Sequence, residues 1–398
     1  MEKKKPQIRF NGFEGEWTTT TLGECFLERV ERSAEGELIS VTISQGVVRA
    51  SDLDRIDNSS NDKSNYKVVE VGDIAYNSMR MWQGACGYSL YKGICSPAYT
   101  VVIPQNNIDV VYCFYLFKRN ETLQLFRVNS QGLTSDTWNL KYPAFSQIKC
   151  SFPSLSEQEK IGLFLTTLDK LIAKLEAKLD KLRKLKQALL EKMFTNVNRG
   201  GYETPEIRFK GYTDKWEVKE LGEVAIFNPP NQPLKELFYY IDLESVEKGF
   251  LKIKEQVTKR MAPSRAQRTL EFNDILFQTV RPYLQNHYLF KKNTQNNQWV
   301  ASTGYALLRP KIYPELLYTM LLSKGFMLEV MQRCTGSTYP AINSKKMTDI
   351  KVGCSSVQME QQLIGDLFIL LDNQLNKTST KLTKLRNIKQ SLLQKMFA

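Results

Sequence analysis

A chain of 398 residues has room for two or three domains with real cores. With 42% hydrophobic and 24% charged residues it is ordinary globular material. No apolar run approaches the ~18 residues of a membrane span, and the charged start, Met1 to Lys5, leads into no apolar signal core, so the expected location is the cytoplasm, away from any membrane. The net charge of +13 favours a polyanionic partner, while seven scattered cysteines without a CxxC pair and a single histidine, His287, argue against a disulfide framework or a metal site. Residues 1–155 are net neutral, 156–194 carry +3, 195–355 carry +7 and 356–398 carry +3. Any basic face in the first half must therefore be local.

The chain opens on a motif that returns. Residues 6–24 read PQIRFNGFEGEWTTTTLGE and residues 205–223 read PEIRFKGYTDKWEVKELGE, so that Pro6, Ile8, Arg9, Phe10, Gly12, Trp17, Leu22, Gly23 and Glu24 recur at an offset of 199. A second box recurs at an offset of 203: Glu157, Gln158, Ile161, Gly162, Leu168, Asp169, Leu179, Leu182, Arg183, Lys186, Gln187, Leu189, Leu190, Lys192, Met193 and Phe194 come back between Glu360 and Phe397. The chain is a tandem duplication whose period, near 200, is too long for a solenoid. Between the boxes only faint echoes survive: Gly72-Asp73-Ile74 with Asn273-Asp274-Ile275, Arg80 with Arg281, and Gly132 to Asn139 with Gly336 to Asn343. Shared frames with divergent middles predict two equivalent scaffolds carrying different surfaces.

Residues 25–150 read as mixed α/β, with strands at Lys67 to Val71 and Tyr99 to Ile103 and a helix at Val110 to Arg119. From Ser156 a long helix follows, opened by a capping box from Ser156 to Glu159. Its apolar residues, Leu168, Ile172, Leu175, Leu179 and Leu182, are spaced by three and four like the seam of a coiled coil. A helix over 156–194 would be roughly 58 Å long. Asn196 to Thr204, with Gly200-Gly201, reads as a linker. The second middle repeats the mixed pattern, with strands at Tyr239 to Leu243 and Tyr305 to Leu308 and a helix at Pro314 to Met331. The C-terminal copy of the helix carries Leu371, Leu375, Leu382 and Leu385, interrupted by Thr378. Lys186 and Lys389 occupy the same seam position, as polar residues that fix register do. Pairing of the two helices explains the duplicated seam; the alternative is that each stripe packs on its own domain.

No complete catalytic motif is present. There is no Walker loop and no G-x-S-x-G elbow. Asn228-Pro229-Pro230 resembles the Asn-Pro-Pro-aromatic motif of adenine methyltransferases, but Asn231 stands in the aromatic position, and a turn closing a strand is the simpler reading. What remains are polar, basic and aromatic clusters at loop positions. In the first half these are Ser44, Gln45 and Arg49; Arg80, Trp82 and Gln83; and Gln131, Thr134, Ser135, Trp138 and Asn139. In the second half they are Lys259, Arg260, Arg265 and Arg268; Arg281, Tyr283, Gln285 and Asn286; and Ser337, Thr338, Tyr339, Asn343 and Lys345. Arg, Gln and Asn have the forked geometry that reads base edges, and Lys, Ser and Thr suit phosphates. These residues are therefore expected to bind DNA.

The chain resembles the specificity subunit of type I restriction–modification systems. The resemblance rests on Ser156-Glu157-Gln158, Ile161-Gly162, Leu168-Asp169 and Lys186-Gln187 through Phe194, with their copies to Phe397. It also rests on Gly72-Asp73-Ile74, Arg281-Pro282-Tyr283-Leu284 and Thr335-Gly336-Ser337-Thr338. Two departures are Met359 in place of Ser156, and Arg80-Met81-Trp82 where the second half has Arg-Pro-Tyr. The resemblance implies an α+β fold with a pseudo-two-fold internal repeat, in which two long helices pair as an antiparallel coiled coil. Target-recognition domain 1 is expected over residues 1–155, coiled-coil helix 1 over 156–194 and a linker over 195–204. Target-recognition domain 2 follows over 205–355 and coiled-coil helix 2 over 356–398. It further implies a non-catalytic subunit without cofactor or metal of its own. Each domain would read one half of a bipartite asymmetric target in double-stranded DNA, and the helices would space the domains. Two modification subunits would supply adenine methylation from S-adenosylmethionine, and restriction subunits ATP-driven translocation and cleavage. The alternative is a coiled-coil scaffold that assembles a complex without reading DNA, which the neutral first half favours.

Overall fold

The structure, a computed structural model, describes residues 5–54, 59–194, 204–336 and 338–398. The expected linker, save Thr204, and the candidate Ser337 lie outside the described residues. The fold is α+β, and the chain divides into two compact units. Unit 1 is Met1–Glu176 with Thr380–Ala398, and unit 2 is Ala177–Ser379. The boundaries fall inside two 38-residue helices, Leu155–Lys192 and Gln358–Lys395, so each helix gives its first half to one unit and its second half to the other.

Unit 1 holds two four-stranded sheets. One runs Phe26–Glu28, Tyr99–Pro104, Ile74–Asn77, Cys86–Tyr88, antiparallel throughout. The other runs Gly46–Arg49, Leu38–Thr42, Gly93–Cys95, Lys67–Val69, with one parallel pair between Leu38–Thr42 and Gly93–Cys95. Unit 2 repeats both. Its antiparallel sheet runs Ala225–Phe227, Tyr305–Pro310, Ile275–Gln278, Tyr288–Leu289. Its mixed sheet runs Gln256–Thr258, Leu237–Ile241, Trp299–Ser302, Ala266–Thr269, again with the second and third strands parallel. The divergent middles thus keep one topology.

The residues shared by the repeats build the frame. Arg9 donates to buried Glu157 from Nε at 2.8 Å and from Nη2 at 2.7 Å, and Arg208 does the same to Glu360 at 2.6 and 2.8 Å. This forked pairing clamps each opening motif to the start of a long helix. The next residue repeats its role too: Gln158 Oε1 accepts from Asp109 N at 3.0 Å, and Gln361 Oε1 from Tyr313 N at 3.1 Å. Gly162 and Gly365 let the helices touch neighbouring backbone; an added Cβ would lie 3.1 Å from Tyr112 N and 2.8 Å from Leu316 N.

The repeated Met-Phe ends are plugs. Met396 and Phe397 enter the unit 1 core beside Trp17, Leu22 and Tyr112. Met193 and Phe194 enter the unit 2 core beside Trp216, Leu221 and Phe368. The helices run antiparallel within each unit. In unit 1 Lys389 reaches Asp169 at 2.5 Å and Arg386 reaches Glu176 at 2.5 Å; in unit 2 Lys186 reaches Asp372 at 2.5 Å. Lys186 and Lys389 are copies of one another, as are Asp169 and Asp372, so the seam lysines are anchored reciprocally. Ile172, Leu179, Leu371 and Leu382 are buried, while Leu168, Leu175, Leu182, Leu375 and Leu385 are half-buried. Thr378, which interrupts the stripe, is buried as well.

The helix expected at Val110 to Arg119 ends at Leu116 and the strand expected at Lys67 to Val71 ends at Val69, and three further local expectations need correction. The first long helix begins at Leu155, so Ser156 lies inside its first turn and cannot be the cap. The helix expected over 314–331 is two, Pro314–Leu321 and Lys324–Arg333, because the Ser323 side chain accepts from Phe326 N and starts a new helix. The strand expected at Tyr239 to Leu243 is Leu237–Ile241, because Asp242 turns the chain, accepting from Glu244 N and Ser245 N.

Candidate nucleic-acid interface

In unit 1 the strand Ile74–Asn77 leads into a 3₁₀ turn, Met81–Gln83, closed by Gly84 in the left-handed region at φ +82°. In unit 2 the matching strand leads into the turn Pro282–Leu284. Here the bracketing residues are Arg281 and Gln285, both at φ +52°, a conformation costing a non-glycine residue ~1 kcal/mol or more. Each turn is joined to a second loop. Leu140 N donates to Ser78 O at 2.8 Å, and Ile342 N donates to Thr279 O at 3.0 Å. Each second loop is pinched at its base by a bridge, Gln131 with Asn139 and Thr335 with Ala341. The bridges differ in span by two residues, so Ala341, not Asn343, stands where unit 1 has Asn139.

Aromatic contacts weld each pair of loops. Trp82 meets Trp138 edge-on at 5.1 Å, with the Arg127 guanidinium 5.0 Å from the Trp138 ring. In unit 2 the Arg281 guanidinium lies 4.4 Å over the Tyr339 ring. The hairpin bearing Ser44 and Gln45 lies beside them in unit 1. Gly46 and Gly87 approach so closely that a Cβ on Gly87 would sit 2.6 Å from Val47 N, and Gly87 lies in the strand after Gly84. In unit 2, Arg265 O accepts from Thr303 N at 2.9 Å and Gly304 O from Thr279 N at 3.0 Å, which links the Lys259–Arg268 region to the Arg281 loop.

Each expected residue can now be placed. Ser44, Gln45, Arg80, Gln131, Thr134, Ser135, Lys259, Arg260, Arg265, Tyr283, Thr338, Tyr339 and Lys345 are exposed. Gln83 is half-buried and accepts from Arg80 at 3.3 Å. Arg281 and Arg268 are half-buried, and burial pushes the Arg268 guanidinium below its ordinary pKa. Other side chains are occupied within the fold. Arg49 pairs with Glu37 at 3.2 Å, and Trp82 Nε1 donates to Met79 O. Asn286 Oδ1 accepts from Lys248 N, and Gln285 Nε2 donates to Leu322 O at 3.4 Å. Asn343 caps a short turn through Lys345 N, and the Asn139 amide oxygen is buried. Sequence reading missed Arg127, because it lies in the regular helix Asn120–Val128 and only the fold brings it to Trp138.

Two other motifs resolve as structure. Asn228 Oδ1 accepts from Leu307 N and its Nδ2 donates to Ser344 Oγ, both at 3.0 Å, so the Asn-Pro-Pro run closes a strand end. His287 is fully buried, stacks on Phe277 at 3.9 Å and accepts from Gln278 N through Nδ1. Burial pushes its pKa down to about 3, so it is a neutral core residue near pH 7. Among the described residues no group of three or more His, Cys, Asp or Glu could hold a metal ion, and no helix is long and apolar enough to cross a membrane.

Residues 16–184 match the type I restriction modification DNA specificity domain. The type I restriction enzyme MjaVIII specificity subunit of Methanocaldococcus jannaschii is 22% identical over 324 residues, covering 77% of this chain and 73% of that protein. The MjaIX specificity subunit of the same organism is 26% identical over 162 residues, 39% of this chain and 36% of that protein. The S subunit of a type I restriction–modification system from M. genitalium superposes with a TM-score of 0.61 at 18% identity, across 99% of both chains. That likeness extends the same fold through both units.

Proposed function

We propose, from the premise that the chain belongs to the type I restriction–modification specificity-subunit family, that it reads DNA for such a complex and performs no chemistry itself. Each unit reads one half of a bipartite asymmetric target through its welded loops. The long helices set the gap between the half-targets and dock two modification subunits, which carry out adenine methylation. Restriction subunits joining the same assembly supply ATP-driven translocation and cleavage. One observation carries the reading. Both units build the same loop pair on the same sheet topology, with Arg80 and Arg281 at matching positions, yet weld it through different contacts, Trp82 on Trp138 in one and Arg281 on Tyr339 in the other. A scaffold has no need of two such surfaces, whereas a reader of two different half-targets does.

The test exchanges residues 25–150 for those of a relative and maps the methylated motif made by the assembled complex. One half of the motif changes and the other stays. A change in both halves, or in neither, overturns the modular reading. Binding of the assembled complex to the mapped duplex also weakens steeply as salt rises, because phosphate contacts release counterions. Binding indifferent to salt and sequence would favour the scaffold.

A further inference from the structure

Among the described residues, the most exposed large apolar side chain of unit 1 is Leu133, at 101%. In unit 2 it is Met261, at 76%. Both stand among the polar and basic residues assigned above to DNA: Leu133 between Gln131 and Thr134, and Met261 directly after Lys259 and Arg260. Neither fills a core, and neither hangs on a slack loop. The Gln131–Asn139 bridge closes the base of the Leu133 loop, and Trp138 N and Thr137 N both donate to Thr134 O. Gly132 sits at φ +133°, where a Cβ would lie 2.5 Å from Thr137 O, so the backbone that turns Leu133 outward is tightly specified. Met261 ends the 3₁₀ turn Lys259–Met261, which is anchored by Lys259 N donating to Glu236 O at 2.8 Å.

A bulky apolar group held rigidly in water, within a polar surface, is suited to a partner that is charged outside and apolar inside. DNA is such a partner. Its phosphates are the chemical complement of the exposed Arg80, Arg127, Lys259 and Arg260, and its stacked bases offer the apolar interior. Leucine and methionine are among the side chains that enter base steps as wedges and unstack them. We propose that Leu133 is an apolar wedge that enters a base step of the first half-target, and that Met261 does the same in the second. The inference rests on the DNA-reading function above and adds a mode of recognition to it, because flexible steps accept a wedge more readily than stiff ones.

The test uses the assembled complex and duplexes carrying its mapped methylation motif, with 2-aminopurine placed at successive positions. The parent complex raises the fluorescence at one step in each half-target. Leu133→Ala abolishes the rise in the first half only and weakens binding roughly tenfold, the loss expected when a buried leucine is truncated. Leu133→Met retains the rise. Met261→Ala removes the signal of the second half only. A parent complex that prefers its motif yet raises no signal overturns the wedge while leaving the recognition reading intact, as does a Leu133→Ala complex with the parent's fluorescence and affinity. A parent complex that binds motif and scrambled duplex alike overturns the recognition reading itself.

Discussion

Replacing Arg208 by Ala should destabilise unit 2 severely. The Glu360 side chain is 0% exposed, and the Arg208 guanidinium that pairs with it is 11% exposed and also donates to Asp214 O. Removing the guanidinium strands a carboxylate in the core. The loss of one partner from a buried pair costs about 3–5 kcal/mol. The equivalent change at Arg9 should fall nearer the low end, because Arg9 is 18% exposed and water can partly replace it. Replacing both partners, Arg208→Met with Glu360→Met, should return most of the loss, since the attraction within a buried pair barely offsets its desolvation. Urea unfolding followed by tryptophan fluorescence reads this, because Trp17 and Trp216 are buried in the cores of units 1 and 2. With m of ~2–3 kcal/mol per molar urea, the unit 2 midpoint of Arg208→Ala should fall by roughly 1–2 M. A midpoint within ~0.2 M of the parent would refute the clamp. So would a double variant as unstable as the single one, since the cost would then not come from the stranded charge.

Two further outcomes follow from the frame. Lys186→Asp places a second carboxylate beside Asp372 and should cost about 1–2 kcal/mol in thermal unfolding, and adding Asp372→Lys should restore most of it; a double variant no better than the single one would deny the pairing. Burial alone would raise the Glu360 pKa, but hydrogen bonds from Arg208 and Ser355 outweigh it and hold the carboxyl below its ordinary value. Its contribution is therefore present above the unfolded carboxylate value near ~4.3 and is lost as pH falls through the lower folded value. Urea midpoints of unit 2 measured from neutral pH into that acid window should drop less steeply for Arg208→Met/Glu360→Met than for the parent, and equal slopes would contradict the assignment.

The frame was legible in the sequence because its contacts join repeated residues to repeated residues. Arg9 meets Glu157, Lys186 meets Asp372, and the Met-Phe ends meet the cores that hold Trp17 and Trp216. Each contact needs a specific side chain at both ends, so both ends persist in both copies. The sheets of the middle regions were not legible at that level. Their order and their single parallel pair repeat in both units, but a strand needs only a half-buried apolar pattern, which many sequences satisfy. The loop clusters lay between these extremes. Composition marked segments that the fold brings together, but not which of their side chains the fold itself engages. Asn286, Asn343 and Arg49 proved to be engaged with their own fold, while Arg127, on an ordinary helix face, joined the cluster through Trp138.

This separation has a mechanical consequence. The Arg–Glu clamps, the reciprocal Lys–Asp pairs and the Met-Phe plugs all lie in the repeated boxes, while the side chains that weld the candidate reading loops lie in the divergent middles. Each long helix, with the Met-Phe end that follows it, supplies side chains to both cores: Ile161 and Phe194 from the first, Phe368 and Phe397 from the second. Substitutions on the outer loops are felt only locally, since residues such as Leu133 and Met261 touch little of the fold. A chain built this way can exchange one set of loops for another without renegotiating its frame. Read with the proposed function, that is the physical condition under which one half of a DNA target can change while the other half and the assembly stay as they were.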